Sequence, residues 1–114
     1  MNGGDAMDAV LFSALAEPNR IRIVELLRDA GAMNLGEIAV KLGMRLPQSS
    51  KHLRVLADAG VVDVRAEANR RIFSLREERF AELDEWAQSF LKAKEAQFDR
   101  FEALLEKMQG KQSD

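Results

Sequence analysis

Apolar positions recur along most of this chain at intervals of three and four, the spacing of a helix with one buried face. Val10, Leu11 and Leu15 predict a short helix over 8–16. Pro18 suits the first turn of a second helix, where its missing N–H costs nothing. Ile21, Val24 and Leu27 form the apolar face of that helix, and Gly31 ends it. Asn34 then has the chemistry of an N-cap, with Glu37 three residues on as its capping-box partner. The third helix turns Leu35, Ile38 and Leu42 inward and stops at Gly43. After a tight turn over 43–45, Pro47 marks the first turn of a fourth helix. Its inward positions are Leu46, Ser49, Leu53 and Leu56, and Gly60 ends it.

The spacing then changes to two. Val62, Val64, Phe73 and Leu75 alternate within two short runs rich in β-branched and apolar residues. Between the runs lies Ala66-Glu67-Ala68-Asn69, with Asn69 suited to a left-handed turn conformation. A two-stranded hairpin is predicted there. Helical spacing returns from about residue 78 to 108, a stretch with neither Pro nor Gly. Phe80, Leu83, Ala87, Phe90, Phe101, Leu104 and Met108 follow alternating steps of three and four. Leu91, Phe98 and Leu105 make a second stripe seven residues apart, and Lys94 and Gln97 interrupt the seam. A helix of this length spans roughly 45 Å, more than the width of so small a domain. Its far aromatic residues need another surface, and a second copy of the chain is the economical one.

Two short helices joined by a Gly-containing turn are a helix-turn-helix, and the hairpin stands where a wing would. The predicted fold is therefore mainly α (α+β): a winged helix-turn-helix with a two-stranded β-hairpin wing and a long C-terminal dimerisation helix. The expected divisions are a flexible N-terminus over 1–7, the winged domain over 8–76, the long helix over 77–109 and a flexible tail over 110–114.

Composition narrows the chemistry. The chain has no Cys and one His, His52, which leaves no thiolate or His-cluster metal site, and no cofactor is expected. It lacks a Gly-rich phosphate loop and any His beside a candidate nucleophile, so an enzyme is not expected. No apolar run approaches the roughly 20 residues of a membrane span. Residues 1–5 hold two Gly and an Asp where a signal peptide would need bases and an apolar core, so a cytoplasmic protein is expected.

Charge points to a partner by its distribution. The net charge is −2. Residues 41–76 nevertheless carry eight bases against three acids, net +5, whereas 77–108 carry nine acids against five bases. A basic segment that coincides with a helix-turn-helix points to double-stranded DNA. Gln48, Ser49, Ser50, Lys51 and His52 occupy the first two turns of the fourth helix, the turns that meet base edges in the major groove. Arg45 and Arg54 flank them, and Arg65, Arg70 and Arg71 flank the wing turn, suited to phosphates. Ser49 also lies near the core side, where its hydroxyl could bond back to a helix carbonyl. Arg20, Arg22 and Arg28 read as surface charge. Val10, Leu11, Phe90, Phe98, Phe101, Leu104 and Leu105 are the expected homodimer contacts.

Three blocks resemble the ArsR/SmtB family of winged-helix repressors. They are Leu11-Phe12-Ser13-Ala14-Leu15-Ala16-Glu17-Pro18-Asn19-Arg20-Ile21-Arg22-Ile23, then Ser50-Lys51-His52-Leu53-Arg54-Val55-Leu56 with Ala59-Gly60-Val61-Val62, and Arg70-Arg71-Ile72-Phe73-Ser74-Leu75. The likeness runs over about residues 8–90. It implies a homodimeric repressor on a near-palindromic operator. The lack of Cys, with the only His in the fourth helix, resembles the subgroup without metal sites. Arg45 replaces a small N-capping residue, Ser49 a common Val and Asn69 a wing Gly. A small-molecule or protein inducer is left unassigned. The competing reading is a helical protein–protein interaction module that has lost DNA binding; the helix-turn-helix polarity and the basic segment favour the first.

Overall fold

Capping chemistry sets most of the helix boundaries. The computed structural model describes residues 7–112. Helix α1 (Ala9–Leu15) starts where the Asp8 carboxylate accepts the amide of Val10 at 2.9 Å. Helix α2 (Pro18–Ala30) starts at Glu17, whose Oε1 accepts the amides of Asn19 at 2.7 Å and Arg20 at 3.0 Å. Strand β1 (Met33–Asn34) leads into α3 (Leu35–Leu42), and the capping box forms as expected. Asn34 Oδ1 accepts from Glu37 N at 2.8 Å, and Glu37 Oε1 accepts from Asn34 N at 2.9 Å. Gly43 ends α3 in the left-handed region, at φ +67°, which a side chain would disfavour. Helix α4 (Leu46–Asp58) then begins at Arg45, whose side chain makes no capping bond. Strands β2 (Val62–Glu67) and β3 (Arg70–Leu75) precede α5 (Glu77–Gln112).

The core sits where α1 to α4 meet one face of the sheet. Leu11, Ile23, Ile38, Leu53, Leu56 and Val61 are fully buried, one or two from each of α1 to α4 and one just before β2. Each contributes about 1.5–3 kcal/mol of apolar burial, and together they hold the helix-turn-helix at a fixed angle to the wing.

The wing hairpin runs from Val62↔Leu75 to Glu67↔Arg70, closed by the two-residue turn Ala68-Asn69. The left-handed residue is Ala68, at φ +56°, rather than Asn69. A positive φ at the first loop position alone is the type II′ arrangement, whose twist matches the strands. The sheet also has a third strand: β1 pairs with β3 through Met33↔Phe73 and Asn34↔Ile72. Two residues shared with an N-cap leave no periodicity to read.

Several expected placements shift. Leu46 is 53% exposed rather than inward. Of the flexible ends expected at 1–7 and 110–114, residues 1–6, 113 and 114 lie outside the described residues. Met7 packs against the core, and residues 110–112 continue α5. At 36 residues, α5 is about 54 Å long. The radius of gyration is 21.7 Å, against about 13 Å for a compact chain of this length. The difference is α5 leaving the domain: Phe80 packs on the core, while Phe90, Leu91, Phe98 and Phe101 stand exposed.

Candidate nucleic-acid interface

Successive residues of a helix are 100° apart, so the buried stripe of α4 defines its outer face. That stripe is Ser49, Leu53 and Leu56. Lys51 and Arg54 lie on the opposite face, with Gln48 and Ser50 on the two flanks; all four are exposed, as is Arg45 before the helix. Ser49 departs from expectation. It is fully buried, so it does not belong to the outer surface, and its hydroxyl has no hydrogen-bond partner among the described residues, not even a helix carbonyl. His52 is half-buried on the flank nearest α2, where its Nδ1 lies 3.4 Å from Nη1 of Arg20.

The wing brings its own cations to the same neighbourhood. Arg65, Arg70 and Arg71 are exposed. Arg65 pairs with Glu67 at 3.4 Å, an exposed ion pair of little energetic weight. Arg71 and Val64 of the wing share a groove of about 400 Å³ with Ser50, Arg54 and Asp58 of α4. A second groove, about 470 Å³, lies between Asn69, Arg70 and Arg71 and the starts of α3 and α4 at Leu35 and Leu46. Arg54 of the helix and Arg71 of the wing thus border the first of these grooves together, although they are about 17 residues apart in sequence.

The arginines that read as surface charge do structural work at two helix ends. Arg20 Nε donates to Ala14 O at 2.6 Å and its Nη2 to Ser13 O at 3.4 Å, satisfying carbonyls at the end of α1. Arg22 Nη2 donates to Leu42 O at 2.9 Å, at the end of α3. Arg28 pairs with the neighbouring Asp29 at 2.8 Å and remains a surface charge. Arg79 was not singled out by sequence; it bonds Ala59 O at 3.2 Å, Asp8 at 3.3 Å and Glu82 at 2.7 Å, clamping the start of α5 to α4 and α1. Partial desolvation of the Glu17 carboxyl opposes its ionisation. The amides of Arg20 and Asn19, with the nearby His52 and Arg20 charges, outweigh that and hold it below the ordinary carboxylate range.

A second exposed surface is apolar. Phe12 of α1 meets Trp86 of α5 edge to face with centroids 4.8 Å apart, and Trp86 meets Phe90 at 4.9 Å. Val10 of α1 is also 55% exposed. Phe98, Phe101, Leu104 and Leu105 continue the exposed apolar face along α5. Leu11 does not belong to it, because it is buried in the protomer core. Trp86 was not singled out by the sequence reading, although its spacing of three from Leu83 and four from Phe90 sets it on the same side of the helix; its packing against Phe12 shows its place in the cluster. Among the described residues, no three His, Cys, Asp or Glu side chains gather as a metal site would require. No helix among them is long and apolar enough to cross a membrane.

A helix-turn-helix core with a β-hairpin wing and a protruding final helix defines a winged helix-turn-helix protein. Residues 15–65 match the model of a helix-turn-helix domain family. The chain is 39% identical over 77 residues to the biofilm growth-associated repressor of Agrobacterium fabrum, covering 68% of this chain and 65% of that protein. It is 32% identical over 75 residues to an HTH-type transcriptional regulator of Methanocaldococcus jannaschii, covering 66% and 84%. Among solved structures, it resembles the homodimeric winged helix-turn-helix DNA-binding domain of a possible ArsR-family regulator from Mycobacterium bovis. That likeness has a TM-score of 0.61 and 31% identity, over 77% of this chain and 79% of the other. The chain belongs to the ArsR family of winged helix-turn-helix transcriptional regulators.

Proposed function

We propose that this protein is a cytoplasmic homodimeric repressor that binds a near-palindromic operator through α4 and the wing. The observation that carries this reading is the groove shared by Ser50 and Arg54 of α4 with Arg71 of the wing. Cations on both of its sides suit a duplex whose phosphates flank a readable groove. Gln48, Ser50 and Lys51 stand in the N-terminal turns of α4, which meet base edges when such a helix enters the major groove. Arg65, Arg70 and Arg71 are exposed on the wing, which suits contact with the backbone. The exposed Val10 of α1 and the exposed apolar face of α5 from Phe90 to Leu105 are the surfaces that a second copy would cover. Two copies then present two α4 helices to half-sites about 34 Å apart or a multiple of it.

The test pairs two variants in titrations over a range of salt. Arg71→Ala weakens binding to operator and random DNA alike and lowers the salt slope by about 1. Gln48→Ala narrows the gap between operator and random DNA by about 1–3 kcal/mol, the worth of one bidentate base contact. Loss of operator preference in Arg71→Ala, with Gln48→Ala unchanged, reverses the two roles. Wild-type protein that binds no duplex at low salt overturns the reading and leaves a protein-interaction module.

A further inference from the structure

His52 is the chain's only histidine, and its environment is asymmetric at the level of single atoms. On one edge of the ring, Nδ1 lies 3.4 Å from Nη1 of Arg20. A guanidinium has donors and no acceptor, and it stays protonated at any pH the fold survives. Nδ1 must therefore be the acceptor, and the proton of the neutral imidazole resides on Nε2. Nε2 has no partner among the described residues and is not one of the buried unpartnered atoms.

The same Arg20 side chain is held from three sides. Its Nε and Nη2 bond the carbonyls of Ala14 and Ser13 at the end of α1. Its backbone amide bonds Glu17 Oε1, which also accepts from Asn19. One guanidinium thus ties the end of α1 and the start of α2 to the second turn of α4. His52 leaves α4 on the flank nearest α2, away from the Lys51–Arg54 outer face. A donor on that flank of a helix lying in the major groove meets the wall of the groove, which is phosphate, rather than its floor.

We propose that His52 is a phosphate ligand in the DNA complex, donating from Nε2, and that Arg20 is the positioning residue that sets its tautomer. This inference rests on the reading of α4 as the helix that enters DNA. It gives the α1–α2 corner a direct part in orienting a contact of α4, so disturbance of that corner reaches DNA affinity without touching DNA.

The chain's single imidazole gives one set of ring signals in long-range ¹H–¹⁵N NMR correlation spectra. In free wild-type protein, above the imidazole's titration, the expected pattern is that of the Nε2–H tautomer. Arg20→Met removes the donor, keeps an unbranched stem and should produce a tautomer mixture. A wild-type spectrum of the Nδ1–H tautomer, or one unchanged in a folded Arg20→Met protein, overturns Arg20's role. Binding to a random-sequence duplex at low salt reads the contact itself. His52→Ala should lose about tenfold in affinity per bound subunit, the worth of one hydrogen bond to a charged acceptor. His52→Gln, whose amide places an N–H where Nε2 was, should recover most of it. Thermal melts of both variants separate a lost contact from a lost fold. Duplex binding unchanged in His52→Ala overturns the phosphate contact while leaving the function standing. Wild-type protein that binds no duplex overturns both.

Discussion

The winged domain and the distal part of α5 carry the same three-and-four spacing and bury it in opposite ways. In α4 the apolar stripe is closed off: Leu53 and Leu56 have no exposed surface. In α5 the equivalent stripe stands open, with Phe98 and Phe101 59% and 57% exposed. Spacing specifies that a face exists, and the surrounding chain decides what covers it. Around α4 three other helices and the sheet supply the cover. Beyond Ser89 no other element among the described residues covers the apolar face of α5, so a monomer would leave that aromatic face in water, a cost normally removed by association.

Cutting the covered stripe gives the largest effect. Leu53→Ala should cost about 2–5 kcal/mol of folding free energy in chemical denaturation, from lost burial and the cavity left behind. A loss under about 1 kcal/mol would mean that the core collapses around the site and that α4 is not rigidly seated. The open stripe should respond differently. Phe101→Glu should leave the far-UV circular dichroism of the winged domain intact and lower the dimer fraction in analytical ultracentrifugation, by at least ~1 kcal/mol of association free energy for a charge placed in an apolar seam. Wild-type protein that is monomeric at micromolar concentration would remove the second copy as the cover of α5.

Ser49 sharpens the same comparison from inside. It stands in the covered stripe, and its hydroxyl has no partner among the described residues. Ser49→Ala deletes that hydroxyl and should raise the folding free energy by about 1 kcal/mol. DNA binding should be unchanged, because the residue is out of reach. A fall in stability would reveal a bonded hydroxyl, and a fall in affinity alone would return Ser49 to the DNA surface.

Acid should expose the smallest difference. The Glu17 carboxyl is held below its ordinary value of 4.5 in the folded protein. Its contribution is therefore fully present above that value and is lost as pH falls through the lower folded one. Glu17→Gln should flatten the stability profile below pH 4.5 and leave the profile above it parallel to wild type. Equal acid lability in both proteins would assign the loss to other carboxylates.

The local order of this molecule was written in short-range chemistry. Asn34 with Glu37, Pro18, Pro47, Gly43 and Gly60 each act within four residues, and the alternation from Val62 to Leu75 marks the hairpin. Such signals need no knowledge of distant chain, and the elements they predicted are present. Decisions that depend on distant neighbours were not legible. Ser49 and Leu46 both fit the inward stripe of α4, yet only Ser49 is inside, because Leu46 is the first residue of the helix, one turn before the part that the other elements cover. Leu11 and Val10 are adjacent, and one is core while the other is surface, because α1 offers one side to the domain. Strand β1 exists because β3 passes beside the residues before α3. Arg20, Arg22 and Arg79 look like any surface arginine in sequence. Their partners lie 6, 20 and up to 71 residues away, at carbonyls and carboxylates that only the folded chain brings within reach. The sequence by itself determined which segments are helix, turn and wing, because propensity, capping and periodicity are local. The tertiary structure alone decided which side of each helix faces inward and which charges become ties, because burial and long-range hydrogen bonds belong to the assembled packing.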